Sequence, residues 1–126
     1  MQYMLLIYSD ESRFKAASKT EIDQALAAYG AYTEAMKKAG VIAGGDRLKP
    51  SASASTVRVA NGKTKVLDGP YAETKEFLAG FGIIDVPNLD TALEWAARHP
   101  AAAYASVEVR PLLGSHFAVG DSKPPR

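Results

Sequence analysis

The sequence predicts an α+β domain: a ferredoxin-like antiparallel sheet with two helices on one face and an inserted β-hairpin. Three observations lead there. Short apolar runs of strand character recur along the chain. Two segments between them carry apolar residues at steps of three and four. An Asn-Gly pair joins two of the runs. With 126 residues the chain suffices for one domain with a real core and is too short for two ordinary ones.

Residues 4–8 are continuously apolar, end at Ser9-Asp10-Glu11, and predict a strand in the middle of the sheet. Ser18 and Glu21 have the spacing of a capping box, and Ile22, Ala25, Leu26, Tyr29, Thr33 and Met36 follow as one helical stripe. Lys37 and Lys38 suit the negative end of the helix dipole, and Gly40 ends the helix. A strand restarts at residues 41–43 and runs into Gly44-Gly45-Asp46-Arg47-Leu48. Residues 56–60 and 63–67 flank Asn61-Gly62, whose tolerance of positive φ predicts a type I′ hairpin pairing Val57 with Val66 and Arg58 with Lys65. Asp68-Gly69-Pro70-Tyr71 breaks that strand. Residues 78–86 predict another, with glycines that imply a bulge or a close approach. Asn88 caps a second helix with Leu89, Ala92, Leu93 and Ala96 as its stripe, and Pro100 ends it. In the last strand, residues 104–110, Val107 and Val109 share one face while Ser106, Glu108 and Arg110 share the other. Residues 1–113 thus form the domain, and residues 114–126 are expected to be an irregular tail, lacking periodicity and carrying two glycines and two prolines.

Two helices cover one face of such a sheet. The other face carries Leu or Ile side chains whichever way the first strand is turned, so a second copy of the same sheet is the expected cover, and the protein is expected to be a homodimer. Fifteen basic against fourteen acidic side chains leave a net charge of +1, which gives no field for direct nucleic-acid binding. The apolar opening is too short to span a bilayer and lacks a basic lead, so it reads as a buried strand, with no membrane partner and a cytoplasmic location expected. With no cysteine, disulfides, thiolate metal sites and a cysteine nucleophile are excluded.

The opening M-x-Y-M-L-L-I-Y, the block A-Y-G-A-Y-T-E-A-M-K-K-A-G at 28–40, G-G-D-R-L at 44–48 and T-V-R-V-A-N-G-K at 56–63 are joined by D-G-P-Y-A-E-T-K-E at 68–76, A-L-E-W-A-A-R-H-P at 92–100 and S-V-E-V-R-P at 106–111. On these blocks the chain resembles the DGPF-domain group of the YCII-related family, with Tyr71 replacing the phenylalanine of the motif. The resemblance implies a dimeric α+β barrel of ferredoxin-like halves with a cleft between or beside the sheets. Some members are named transcription-initiation proteins. Wider YCII relatives carry a histidine in the first helix paired with an aspartate and proposed as a catalytic dyad. Here Tyr29 stands in about that place, so the dyad does not carry over.

The candidate catalytic residues are Asp68 and Tyr71, and the candidate ligand-binding residues are Tyr8, Glu108 and Arg110. Asp68-Gly69-Pro70-Tyr71 reads either as a stiff, shaped corner or as a corner that holds a carboxylate and a hydroxyl at a pocket mouth. Residues 73–76 read first as a solvated charged stretch. Glu108 and Arg110, facing away from the helices, read either as a structural ion pair or dimer link, or as an arginine clamp for a small carboxylate. His99 reads as a complement to a helix C-terminus and His116 falls in the tail. Neither has metal-ligand spacing, so no metal and no cofactor are expected. Two functions follow: a cofactor-free acid–base enzyme or binder acting on a small acidic or carbonyl compound in a cleft of the dimer, or a non-enzymatic interaction or regulatory module linked to transcription initiation that uses the hairpin edge or the tail.

Overall fold

A computed structural model describes residues 1–72 and 74–114. The expectations for the tail and His116 fall outside the described residues. The elements are β1 (Gln2–Ser9), α1 (Glu11–Ala16), α2 (Lys19–Ala39), β2 (Ile42–Arg47), β3 (Ser55–Ala60), β4 (Lys63–Asp68), β5 (Phe77–Asp85), α3 (Leu89–Arg98) and β6 (Ser106–Pro111). Two 3₁₀ turns, Ser51–Ser53 and Pro100–Ala103, complete them. No helix among the described residues is long and apolar enough to cross a membrane.

The main sheet runs β2-β5-β1-β6, antiparallel throughout, an order compatible with a ferredoxin-like fold. β1 lies inside it, as its two-sided apolar sequence predicts. Tyr3, Leu5, Ile7 and Ser9 are buried beneath the helices, while Met4, Leu6 and Tyr8 alternate onto the opposite face. Ile84 of β5 pairs with Tyr3, and with Leu5 it is among the most deeply buried side chains. Val107 and Val109 pack on the helix-side core, which leaves Glu108 and Arg110 facing away from the helices.

Both predicted helices form, with their predicted caps. Ser18 Oγ accepts from the Glu21 N–H while Glu21 reaches back to the Ser18 N–H, and Gly40 closes α2 at φ +69°. Asn88 Oδ1 accepts from the Thr91 N–H at the start of α3. The stripes sit differently from the expectation. α2 buries Tyr32 and Met36 and leaves Leu26 exposed; α3 buries Ala92, Trp95 and Ala96 and exposes Leu89 and Leu93. The wide ring of Trp95 fills the space that a leucine stripe would have filled, and Tyr32 donates its hydroxyl to the Trp95 carbonyl at 2.7 Å.

Two further differences bear on the site. Residues 11–16, for which the sequence pattern names no element, form α1, because Asp10 accepts from the Ser12 N–H at 3.0 Å and starts a turn of helix. The described residues therefore hold three α-helices. The hairpin has the predicted register, Val57 with Val66 and Arg58 with Lys65, and positive φ at Asn61 and Gly62. It is a two-stranded sheet of its own, separate from the main one.

The glycines of β2 and β5 show the expected close approach. Gly45 sits at φ +141°, where a Cβ would lie 2.5 Å from the Phe81 carbonyl oxygen, and a Cβ on Gly80 would lie 3.0 Å from the Asp46 carbonyl oxygen. Beside them the register of β1 on β5 shifts between Ile7 and Tyr8. Gly45→Ala is expected to lower stability by about 1–3 kcal/mol in urea denaturation, because it combines a disfavoured φ with a backbone clash. Gly62→Ala, strained in φ alone and in open space, should cost less.

Candidate functional site

A cavity of about 610 Å³ lies on the helix side of the sheet, where α2 spreads away from the ends of β1 and β5. Ile7, Ser9 and Gly80 belong to its floor, and Ile22, Ala25, Leu26 and Tyr29 of α2 wall it. α1, the end of β2 and the residues after it contribute the rim: Phe14, Lys15, Arg47, Leu48 and Lys49. The exposed Phe14, Leu26 and Leu48 of this rim are apolar surface that a ligand would cover. The volume and the mostly apolar lining with few polar groups are those of a small-molecule site.

His99 lines this cavity and is 4% exposed. The proline that follows it keeps the residue out of helical geometry (φ −61°, ψ 130°), so His99 ends α3 and caps the next 3₁₀ turn. Its Nδ1 accepts from the Ala101 N–H at 3.0 Å. An accepting Nδ1 places the proton of the neutral ring on Nε2, and Nε2 has no hydrogen-bond partner. Tyr29 and Tyr32 meet the imidazole edge-on, with ring centroids 5.3 and 4.9 Å away. Burial pulls the His99 pKa below its ordinary value. The expectation that His99 complements the dipole of its helix is therefore corrected: a buried neutral ring whose Nδ1 accepts a backbone N–H supplies no cation.

Arg47 lies over the Tyr29 ring, its guanidinium carbon 5.9 Å from the ring centroid. Burial is the main cause raising the Tyr29 pKa, opposed by the Arg47 charge, and burial pushes Tyr32 up to about 12. The acidic groups at the rim are already engaged. Glu11 accepts from the Ser51 N–H at 2.7 Å and from its hydroxyl at 2.9 Å, and Asp46 accepts from the Arg47 N–H at 2.8 Å.

The candidates named from the sequence fall into two groups. Tyr8, Glu108 and Arg110 come together on the face away from the helices. The Tyr8 hydroxyl donates to Glu108 Oε1 at 3.1 Å and Arg110 Nη2 donates to Glu108 Oε2 at 2.8 Å. The hydrogen bonds from Arg110 and then Tyr8 hold the Glu108 carboxyl below the usual carboxylate range. Burial first, and then Glu108, raises Tyr8. Around them Met4, Leu6, Phe81 and Ile83 make the same face apolar, aligned by the pairs Met4–Ile83 and Leu6–Phe81. Asp68 and Tyr71 belong to the hairpin and its exit. Asp68 ends β4, and Tyr71 is 77% exposed with the Arg58 guanidinium 5.4 Å from its ring. Among the described residues no hydrogen bond joins these two to Tyr8, Glu108 or Arg110. Glu73 lies outside the described residues. Thr74, Lys75 and Glu76 line a second, polar depression with Asp10, Arg13 and Tyr104.

Sequence reasoning placed no ligand at His99, Ser9, Arg47 or Gly80. One signal was present: a histidine directly before a proline must leave the helix, and its ring then competes for the next free N–H.

The fold is that of an α+β domain built on an antiparallel sheet, compatible with a ferredoxin-like fold. The chain belongs to the YCII-related family, whose model, a YCII-related domain, matches residues 1–114. It is similar to an uncharacterized protein of Rhizobium meliloti (strain 1021), 42% identical over 114 residues, which cover 89% of this chain and 92% of that one.

The state of His99 has a measurable consequence. Its folded pKa is lowered, so the unfolded imidazole, near 6.5, takes a proton more readily. The contribution of His99 is complete above about pH 6.5 and is lost as pH falls toward the folded pKa, at no more than about 1.4 kcal/mol per pH unit. Urea denaturation between pH 7.5 and 5.0 should show wild-type stability falling more steeply than that of His99→Phe. Equal slopes would mean that the ring titrates alike in both states.

Proposed function

We propose that this domain binds a small organic molecule in the helix-side cavity and acts as a homodimer closed through the bare face of its sheet. The observation that carries the reading is a largely apolar cavity of about 610 Å³ with the nearly buried His99 ring and Tyr29 among its lining residues. The neutral imidazole and the Tyr29 hydroxyl are the groups that would serve acid–base chemistry on a small acidic or carbonyl compound there.

The dimer is supported by Met4, Leu6, Phe81 and Ile83, an apolar patch on the face that no helix covers. A two-fold axis would lay this patch on its own copy, as sheets pack face to face. β6 is an edge strand, so Tyr8, Glu108 and Arg110 would border that interface, as a link between subunits or as a clamp for a carboxylate. Asp68 and Tyr71 would join a site only where the second copy or a protruding ligand reached the hairpin.

A thermal-shift screen with small carboxylates and carbonyl compounds tests the first half of the proposal. At least one compound should raise the melting temperature, and Ala25→Trp, which fills the cavity, should abolish the rise. No shift with any compound, in protein free of carried-over ligand, removes the reading. Asp68→Asn and Tyr71→Phe with unchanged ligand affinity would remove those two residues from the site. For the second half, sedimentation should show a dimer at micromolar concentration and a monomer for Phe81→Glu; a wild-type monomer would remove the dimer.

A non-enzymatic interaction module is the second reading, and the hairpin favours it. Val57, Val59, Val66 and Leu67 are all more than half exposed on a ribbon of only two strands, which is marginal in water when left uncovered. A silent ligand screen, with a partner protein lost on Val59→Lys, is the outcome that selects this reading.

A further inference from the structure

Resting on the small-molecule reading, we propose that α1 is a hinged cover over the cavity, latched shut by the hydrogen bonds between Glu11 and Ser51, and that a ligand enters and leaves when this latch opens. Three features set α1 apart from the other helices.

The first is how little holds it. α1 has six residues and none of them is buried, whereas α2 and α3 both send side chains into the core. A helix of that length is not stable on its own in water. Its backbone hydrogen bonds run within residues 10–17, and among the described residues none joins it to another element. Asp10 and Ala17, which bound it, are both extended, with ψ of 112° and 142°. Rotation at these two residues moves α1 while the ladder of β1 and the capping box of α2 stay in place, which is how hinges at the ends of elements work.

The second is where its ties go. The Glu11 carboxylate accepts from the Ser51 N–H at 2.7 Å and from the Ser51 hydroxyl at 2.9 Å. Leu48, Lys49 and Pro50, just before Ser51, line the cavity, as Glu11, Phe14 and Lys15 of α1 do. The latch therefore joins two separate stretches of the rim. The second tie is Arg13, whose guanidinium carbon lies 4.5 Å from the ring centroid of Tyr104, another lining residue. Both ties are made by side chains of α1, and contacts of this strength open far more often than the core does.

The third is what the cover touches. Phe14 lines the cavity and is about half exposed. A molecule filling the space would lie against Phe14, and it gains that contact only with α1 in place. Binding thus favours the shut state, which is the differential affinity that a cover requires.

The chain has no cysteine, so a single introduced thiol reports on the cavity. Ser9 belongs to the floor and is 4% exposed, and Ser9→Cys is close to isosteric. Modification of this thiol by methyl methanethiosulfonate is followed by mass spectrometry in rising urea. It should be far slower than in the unfolded chain and should depend only weakly on urea at low concentration, because a local opening exposes little surface. Adding Ser51→Ala should raise the rate about five- to tenfold while the urea dependence stays weak, since a hydrogen bond to a carboxylate is lost. Ser51→Thr, which keeps the hydroxyl, should keep the slow rate. If Ser9→Cys does not fold, Ala101→Cys, also at the cavity and 4% exposed, takes its place. A rate as fast as in the unfolded chain, a steep urea dependence from the lowest concentration, or a rate indifferent to Ser51→Ala overturns the cover. The readout needs no ligand, so its failure sinks the cover and leaves the ligand site standing, whereas a silent thermal-shift screen sinks the ligand site and with it the purpose of the cover.

Discussion

The central strand is apolar on both sides, and the remaining architecture answers to that. Tyr3, Leu5 and Ile7 need cover on one face and Met4 and Leu6 on the other. Burial of such side chains stabilises by roughly 1.5–3 kcal/mol each, so neither face is free to be left wet. α2 and α3 bring Tyr32, Met36, Ala92, Trp95 and Ala96 onto the first face. The second receives no helix, and Ile83 and Phe81 of β5 extend its apolar surface. The proposed homodimer would answer that one constraint, with the Tyr8–Glu108–Arg110 chain at its border.

The cavity arises where the cover is incomplete. β2 can approach β5 closely because Gly45 and Gly80 carry no Cβ: one added at either would run into the neighbouring strand's backbone. α2 is long, but its N-terminal half offers Ile22, Ala25 and Tyr29 only part-way into the core, whereas Tyr32 and Met36 seal its C-terminal half. A ligand-sized space opens at the first end, and α1 and the chain after β2 fold over it. Into it the break between α3 and the following 3₁₀ turn delivers His99. An imidazole is thus present beside Tyr29, reached by another element.

Local signals in the chain were enough for the main elements. Ser18 with Glu21, Asn88, Gly40 and Asn61-Gly62 are short-range devices whose hydrogen bonds and φ angles are settled within a few residues, and each appears as its sequence implies. Alternation in β6 gave the facing of Val107 and Val109 for the same reason, since in a strand the period is two, whereas the continuous apolar run of β1 left its facing to the packing. α1 was hidden because six residues hold too little pattern to tell a helical turn from a loop, and the stripe of α3 was misjudged because a single tryptophan outweighs two leucines once a three-dimensional space has to be filled.

Sequence by itself determined the fold class, the family, the two long helices, the hairpin and the grouping of Glu108 with Arg110. Only the tertiary structure decided that His99 is buried and neutral, that Ser9, Tyr29, Arg47 and Gly80 share one cavity with it, and that Asp68 and Tyr71 stand on a separate ribbon. The division has a physical cause. Caps, turns and strand facing are fixed by neighbours along the chain, whereas a cavity is made of surfaces that long-range packing fails to fill, and nothing local records where that failure will occur.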